Sequence, residues 1–87
     1  MTMTYKTTDL DWTDGILDIE ATLKLNGFNP ENFTYIIHLG SDWEWPRVSF
    51  FSENKGQLLD LLDVYFDGIE SEERLSEMIS VVPTQTL

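Results

Sequence analysis

The sequence predicts an α+β domain in which a small antiparallel sheet of three or four strands carries two C-terminal helices packed on one face. Three observations lead to this fold class. Apolar and polar residues alternate in the first half of the chain, the apolar spacing changes to three and four residues after residue 52, and the expected strands are joined by short links. The 87 residues suit one domain over 1–87, with residues 84–87 frayed.

The first half of the chain predicts two strands and one ambiguous segment. Residues 17–25 alternate between apolar and polar, which predicts a half-buried strand that ends at Asn26-Gly27. Residues 4–12 fit either a strand that pairs with it or a short capped helix. After a turn over residues 29–32, residues 33–39 alternate again and predict a second strand.

The second half predicts a third strand followed by two helices. Residues 47–51 are rich in β-branched and aromatic side chains, as strands are. Capping residues at 52–54 then precede an amphipathic helix that ends near Gly68. Ser71 caps a second helix, which Pro83 stops. Its apolar stripe consists of Leu75, Met78, Ile79 and Val82.

The composition excludes several classes of function. Sixteen acidic residues stand against five Lys and Arg, a net charge of −11, which opposes direct binding to nucleic acid or to anionic membranes. Hydrophobic residues make up 41% of the chain, more than a disordered acidic tail contains. No apolar run is long enough to cross a membrane, and no cysteine is present. We therefore expect a soluble, cytoplasmic protein.

Catalytic and metal-binding signatures are nearly absent from the sequence. The single histidine, His38, falls inside a predicted strand, where a structural role is more common than a catalytic one. Asp9, Asp11 and Glu20 match three positions of a calcium loop, but Asp14 stands where that loop needs glycine, and the segment that follows reads as a strand. We expect no catalytic residues, no metal site and no cofactor.

The acidic residues concentrate in the second half of the chain. Residues 60–77 contain seven acids against one base, Arg74, and the first three acids recur at helical spacing along one face. A second acidic point falls in the loop before the third strand, beside two tryptophans. The predicted partner-binding residues are Asp42, Trp43, Glu44, Asp60, Asp63, Asp67, Glu70, Glu72 and Glu73.

This acidic surface has two interpretations. It is either a solvated face that keeps a small protein soluble or a recognition surface for a basic protein. Helices that serve solubility usually mix Glu with Lys, whereas here like charges repel. Carboxylates can occupy the Arg and Lys positions that otherwise hold phosphates, so the second interpretation predicts a DNA mimic that blocks a nucleic-acid-binding protein. We expect a monomer, with a dimer through an exposed edge strand as the alternative.

Two further functions share some of these features. An immunity protein or antitoxin that neutralises a nuclease toxin would show the same acidic surface. A plain interaction domain would instead bind its partner through Trp43 and Trp45.

The order of elements over residues 21–82 resembles the small acidic phage-encoded anti-CRISPR proteins, which inhibit the type II RNA-guided nuclease by mimicking DNA. The resemblance covers the strands ATLKLNG, FTYIIHLG and RVSFFSEN, the loop SDWEWP, the helix LLDLLDVYFDGI and the acidic helix start ESEE. It implies a protein that docks where the duplex recognition motif would bind and excludes target DNA. It also implies that five acids contact the motif-reading basic residues, namely Asp42, Glu44, Glu70, Glu72 and Glu73.

Overall fold

A computed structural model describes residues 3–12, 19–38, 40 and 45–83, where five strands form one antiparallel sheet with three α-helices. In chain order the elements are β1 (Met3–Thr7), β2 (Leu10–Asp11), α1 (Ile19–Leu25), a 3₁₀ turn (Pro30–Asn32), β3 (Thr34–His38), β4 (Arg47–Ser52), α2 (Lys55–Tyr65), α3 (Glu72–Glu77) and β5 (Ile79–Pro83). The α+β class and the antiparallel pairing are confirmed, with more strands than predicted.

Strand β4 lies at the centre of the sheet. β3 pairs with one edge of β4, whereas β1 and β2 share the other edge, and β5 pairs with β1. Residues 7–9 stand opposite only two residues of β4, 49–50, so β1 and β2 are one strand interrupted by a β-bulge. At the bulge, the Thr7 hydroxyl provides a hydrogen-bond acceptor for β4: it accepts a 3.0 Å hydrogen bond from the Phe50 backbone N–H.

The core lies between one face of the sheet and the helices. Phe50 is fully buried at its centre, and its ring contacts those of Trp12, Phe33 and Tyr35. Ile19, Val48 and six leucines complete the core. The leucines come from β2, α1, α2 and α3 and are Leu10, Leu23, Leu58, Leu61, Leu62 and Leu75. Because side chains alternate along a strand, Arg47, Ser49 and Phe51 of β4 face away from the helices. We call that surface the outer face.

The predicted strand over residues 17–25 is wrong: from residue 19 onward the chain is helix α1. The alternating pattern also places Ile19 and Leu23 four residues apart, on one face of a helix, and both are buried. Leu25 is 88% exposed, so the alternation did not mark a buried strand face. The Asn26-Gly27 turn closes this helix, because Gly27 has φ 86° and Phe28 N–H donates to the Leu23 carbonyl at 2.9 Å. The first strand of the anti-CRISPR resemblance, ATLKLNG, is therefore this helix.

The second C-terminal helix is shorter than predicted. α3 ends at Glu77, and residues 79–83 form strand β5 along the whole of β1. Three of these five residues are β-branched, which favours a strand, and the pairing satisfies an edge of β1 that would otherwise be open. In the ambiguous segment 4–12, residues 4–7 and 10–11 are strand, and no residue is helical. No helix within the described part of the chain is long and apolar enough to span a membrane.

Candidate functional site

Helix α2 presents the first acids of the predicted surface to solvent. Asn54 caps the helix by accepting a 2.9 Å hydrogen bond from the Gly56 N–H. Three leucines of the helix are buried against the sheet, namely Leu58, Leu61 and Leu62. Asp60 and Asp63 lie outside that buried stripe and are exposed.

Asp67 does not continue this row of acids, although its spacing predicted that it would. α2 ends at Tyr65, and Asp67 follows with φ 55°, in the left-handed region, ahead of Gly68 at φ 72°. Gly68 N–H closes the helix end by donating to the Asp63 carbonyl at 2.8 Å. The chain turns away there, so α2 carries only two of the three predicted aspartates.

Helix α3 places a third carboxylate beside the two of α2. Ser71 caps α3 by accepting a 3.2 Å hydrogen bond from Arg74 N–H, and Glu72 and Glu73 occupy the first turn, where a negative charge is favoured. α2 and α3 pack together and leave an open groove of about 390 Å³ between them. The groove, called here the acidic groove, is lined by Gly56, Leu59, Asp60, Asp63, Glu72 and Leu75.

The carboxylates of the acidic groove have no basic partner among the described residues. Of the two bases on these helices, Arg74 is 3.7 Å from Glu70, four residues earlier, and Lys55, the first residue of α2, forms no ion pair with the groove acids. The other ion pairs within residues 3–12, 19–38, 40 and 45–83 lie on the sheet. Three of the predicted site residues are thus brought together: Asp60, Asp63 and Glu72. Glu70, Glu73 and Asp67 lie outside the groove lining, and the loop residues Asp42, Trp43 and Glu44 fall outside the described residues.

A second polar cluster lies on the outer face, where sequence reasoning predicted no site. The β-bulge turns Asp9 toward β4, where its Oδ1 accepts a 2.6 Å hydrogen bond from the Ser49 hydroxyl. His38 Nε2 lies 3.5 Å from the same carboxylate oxygen, and Arg47 Nη1 lies 3.9 Å from Asp9 Oδ2. We call these four residues the Asp9 cluster. Since its members are up to 40 positions apart in the sequence, no local spacing revealed it.

The hydrogen bonds of the Asp9 cluster fix the direction of the Ser49 proton. Because Ser49 donates to Asp9, its oxygen can only accept from His38 Nε2, which lies 3.4 Å away. A catalytic serine needs the opposite arrangement, with its proton directed at the imidazole, and Ser49 is fully buried. The Ser49 hydrogen bond lowers the pKa of Asp9. Partial desolvation opposes this effect, and the charges of His38, Arg47 and Lys6 add to it.

The segment after the calcium-like positions is helix α1, so the strand predicted there is wrong. Asp9, the first position of that loop, is directed at Ser49 and β4 instead. No group of three His, Cys, Asp or Glu side chains that could hold a metal ion lies together in the described segments.

No known family model, curated protein or solved structure matches this chain. The geometry of the acidic groove and of the Asp9 cluster is therefore the basis for a functional assignment.

Proposed function

We propose that this protein is a non-enzymatic inhibitor that places its acidic groove in the nucleic-acid-binding site of a basic protein. The observation that carries the proposal is the convergence of Asp60, Asp63 and Glu72 on one groove without a basic partner among the described residues. Unneutralised carboxylates grouped in this way attract cationic side chains, and the net charge of −11 adds long-range steering.

The spacing of the groove acids suits a partner that binds a phosphate backbone. Asp60 and Asp63 are three residues apart on α2, which corresponds to about 4.5 Å along the helix axis. Each strand of DNA carries one phosphate for roughly every 3.4 Å of the helix axis, so both arrays present closely spaced negative charges. A guanidinium group can bind a carboxylate with two parallel hydrogen bonds, as it binds a phosphate. The walls contributed by Leu59 and Leu75 can pack against the methylene stem of such a side chain.

The target class follows from this chemistry. Nucleases, restriction enzymes and other proteins that grip nucleic acid present Arg and Lys in the arrangement that the groove complements. A CRISPR nuclease is the target that the anti-CRISPR resemblance implies, and it belongs to this class. An immunity protein that neutralises a nuclease toxin would use the same electrostatics with a single cognate toxin.

The proposal is tested by capture from a nuclease-treated bacterial lysate on the immobilised protein at low and at high salt. We expect a nucleic-acid-binding protein to be retained at low salt, released at high salt and displaced by added duplex DNA. Displacement by DNA is the decisive readout, because it requires DNA and the acidic groove to compete for one site. A retained partner that DNA does not displace would contradict mimicry.

Exposed Trp45 supports a second candidate, an interaction domain that binds through its tryptophan loop. The residue is 65% exposed, so its ring is accessible to a partner. Retention that resists salt, survives charge reversal of the groove and disappears in Trp45→Ala would favour this candidate.

A further inference from the structure

We propose that Asn26 is a site of spontaneous deamidation, and that opening of the C-terminal end of α1 controls the rate of the reaction. The site is the junction between Asn26 and Gly27, directly after the last residue of α1. It lies on a different part of the chain from the acidic groove and does not depend on the proposed function.

The reaction needs only these two residues and water. The Gly27 backbone nitrogen loses its proton and attacks Cγ of Asn26. A bond between that nitrogen and Cγ forms, the bond between Cγ and Nδ2 breaks, and the side-chain nitrogen leaves as ammonia. Water then opens the cyclic imide: cleavage of the new bond gives aspartate, and cleavage of the original peptide bond gives isoaspartate, whose main chain runs through the side chain.

The residue that follows Asn26 makes the attack possible. Of the four asparagines in the chain, only Asn26 is followed by glycine, which has no side chain to hinder closure of the ring. Both residues are exposed. Apart from its neighbours in the chain, Gly27 has no described atom within 4 Å of the position that a Cβ would occupy. The reacting atoms are therefore accessible to water.

The other three asparagines are internal controls within the same molecule. Asn29 precedes a proline, which has no N–H to lose. Asn32 precedes a phenylalanine and Asn54 precedes a lysine, and both of these side chains hinder the attack. We therefore expect the reaction at Asn26 and not at these positions.

Two hydrogen bonds at the end of α1 hold the reacting groups in place. Asn26 Nδ2 donates to the Thr22 carbonyl at 2.9 Å, and Gly27 N–H donates to the Lys24 carbonyl at 3.1 Å. The attack requires the Asn26 side chain to turn toward the Gly27 nitrogen and this nitrogen to lose its proton, so both bonds must open first. Because helix ends open locally, the folded chain should react, but about 30-fold more slowly than the unfolded chain.

Deamidation removes one of the contacts that slow it. A carboxylate cannot donate to the Thr22 carbonyl, and a negative charge at the C-terminal end of a helix is unfavourable. Isoaspartate also lengthens the main chain just before Phe28, whose N–H donates to the Leu23 carbonyl at 2.9 Å. Since Leu23 is buried in the core, the reaction loosens the attachment of α1 to the rest of the fold.

The site is tested by incubating the full chain at mildly alkaline pH and following each asparagine by proteolysis and mass spectrometry. We expect the mass increase of an amide converted to an acid at Asn26 alone, in two product peptides that separate on chromatography, one for each aspartate isomer. An Asn26 amide that stays intact in the folded chain, or that converts no faster than the other asparagines, overturns the proposed site.

The control by α1 is tested by repeating the incubation in urea that unfolds the chain. The rate at Asn26 should rise by about 30-fold, because neither hydrogen bond has to be opened. Equal rates in the folded and the unfolded chain would overturn the control by the helix end.

The consequence for α1 is tested with Asn26→Asp, which reproduces one of the two products. Asn29→Asp is the matched control, because Asn29 caps the 3₁₀ turn by accepting a 3.0 Å hydrogen bond from Glu31 N–H, and an aspartate accepts it equally well. Asn26→Asp should lower Tm by about 5 °C, whereas Asn29→Asp should leave it nearly unchanged. Equal shifts would assign the effect to the added charge and overturn the consequence for α1. Charge reversal of the acidic groove should leave the rate at Asn26 unchanged, so this proposal and the proposed function can fail separately.

Discussion

The two sides of the molecule treat their acidic residues in opposite ways. On the outer face, the carboxylate of Asp9 is held by a buried serine and lies near a histidine and an arginine. In the acidic groove, Asp60, Asp63 and Glu72 have no basic partner among the described residues. Of the six Lys, Arg and His side chains in the chain, two lie beside Asp9 and none lines the groove.

The difference separates charges that support the fold from charges available for binding. A carboxylate that accepts hydrogen bonds within the protein stabilises the folded state. It has already replaced bound water with protein donors before any partner arrives. Exposed carboxylates that repel one another add nothing to stability and keep their full capacity for an external cation. The sheet should therefore respond to mutation through stability, and the groove through binding.

The largest effect is expected in the groove. Reversing Asp60, Asp63 and Glu72 to lysine should weaken binding to a captured partner by about 100-fold or more, because three attractive contacts become repulsive. The free energy of unfolding should change by only about 0.5 kcal/mol. Isothermal titration calorimetry and urea unfolding measure the two quantities.

A matched control separates the position of the charges from their number. Reversing Glu20, Glu31 and Glu53, which are exposed on other parts of the chain, gives a variant with the same net charge. Its affinity should fall much less, since only long-range steering is reduced. Equal losses in the two triple variants would show that net charge alone, and not the groove, drives binding.

The next effect is expected on the outer face. Ser49→Ala removes the hydroxyl that donates to Asp9 and should lower the free energy of unfolding by about 1.5 kcal/mol. Ser80 faces the same side of the sheet on β5 but is exposed, so Ser80→Ala should change stability by less than about 0.5 kcal/mol. Chemical denaturation of the two variants gives the comparison, and similar values would mean that the Asp9 cluster does not contribute to the fold.

A smaller effect depends on pH. The pKa of Asp9 is lowered below its ordinary value of 3.8, chiefly by the Ser49 hydrogen bond, so its ionised form stabilises the folded state. That contribution is complete above 3.8 and is lost as the pH falls through the pKa of the folded state. The stability difference between wild type and Asp9→Asn should therefore shrink as the pH falls below 3.8 toward the pKa of the folded state. In a Ser49→Ala background, this stability difference should shrink less over the same pH range. An unchanged pH profile in that background would mean that neighbours other than Ser49 lower the pKa of Asp9.

The smallest effect is expected at the end of α2. Asp67 has φ 55°, a conformation that glycine adopts without strain, so Asp67→Gly should raise the free energy of unfolding by about 0.5 kcal/mol. The same change at Asp60, inside the helix, should lower it by a few tenths of a kcal/mol. Thermal unfolding of both variants tests whether the left-handed turn, and not the loss of an acid, is responsible.

Local pattern predicted the parts of the fold that have one dominant signal. The strands at β3 and β4 and the helix at α2 follow from alternation, from β-branched residues and from a leucine stripe with an asparagine cap. The prediction failed where a short segment carries two patterns. Ile19 and Leu23 suit a strand and a helix equally, and it is the 88% exposure of Leu25, which a strand would bury beside them, that fits only the helix.

The site shows a similar division. The groove acids could be named from the sequence because α2 and α3 are close along the chain, and their spacing places Asp60 and Asp63 on one face. The Asp9 cluster could not be named, since its geometry depends on a β-bulge and on pairings between distant strands. The prediction for Asp67 failed because it assumed helical spacing beyond Tyr65, where α2 ends.

The position of β1 within the sheet has a consequence for how the chain folds during synthesis. β1 is made first, yet both of its edges pair with later strands: Tyr5 lies opposite Ser52 of β4 and Val81 of β5. While residues 79–83 of a nascent chain are still inside the ribosome, one edge of β1 is unpaired. Such long-range pairing slows folding and exposes partly assembled sheet, so the sheet can close only after translation has passed β5.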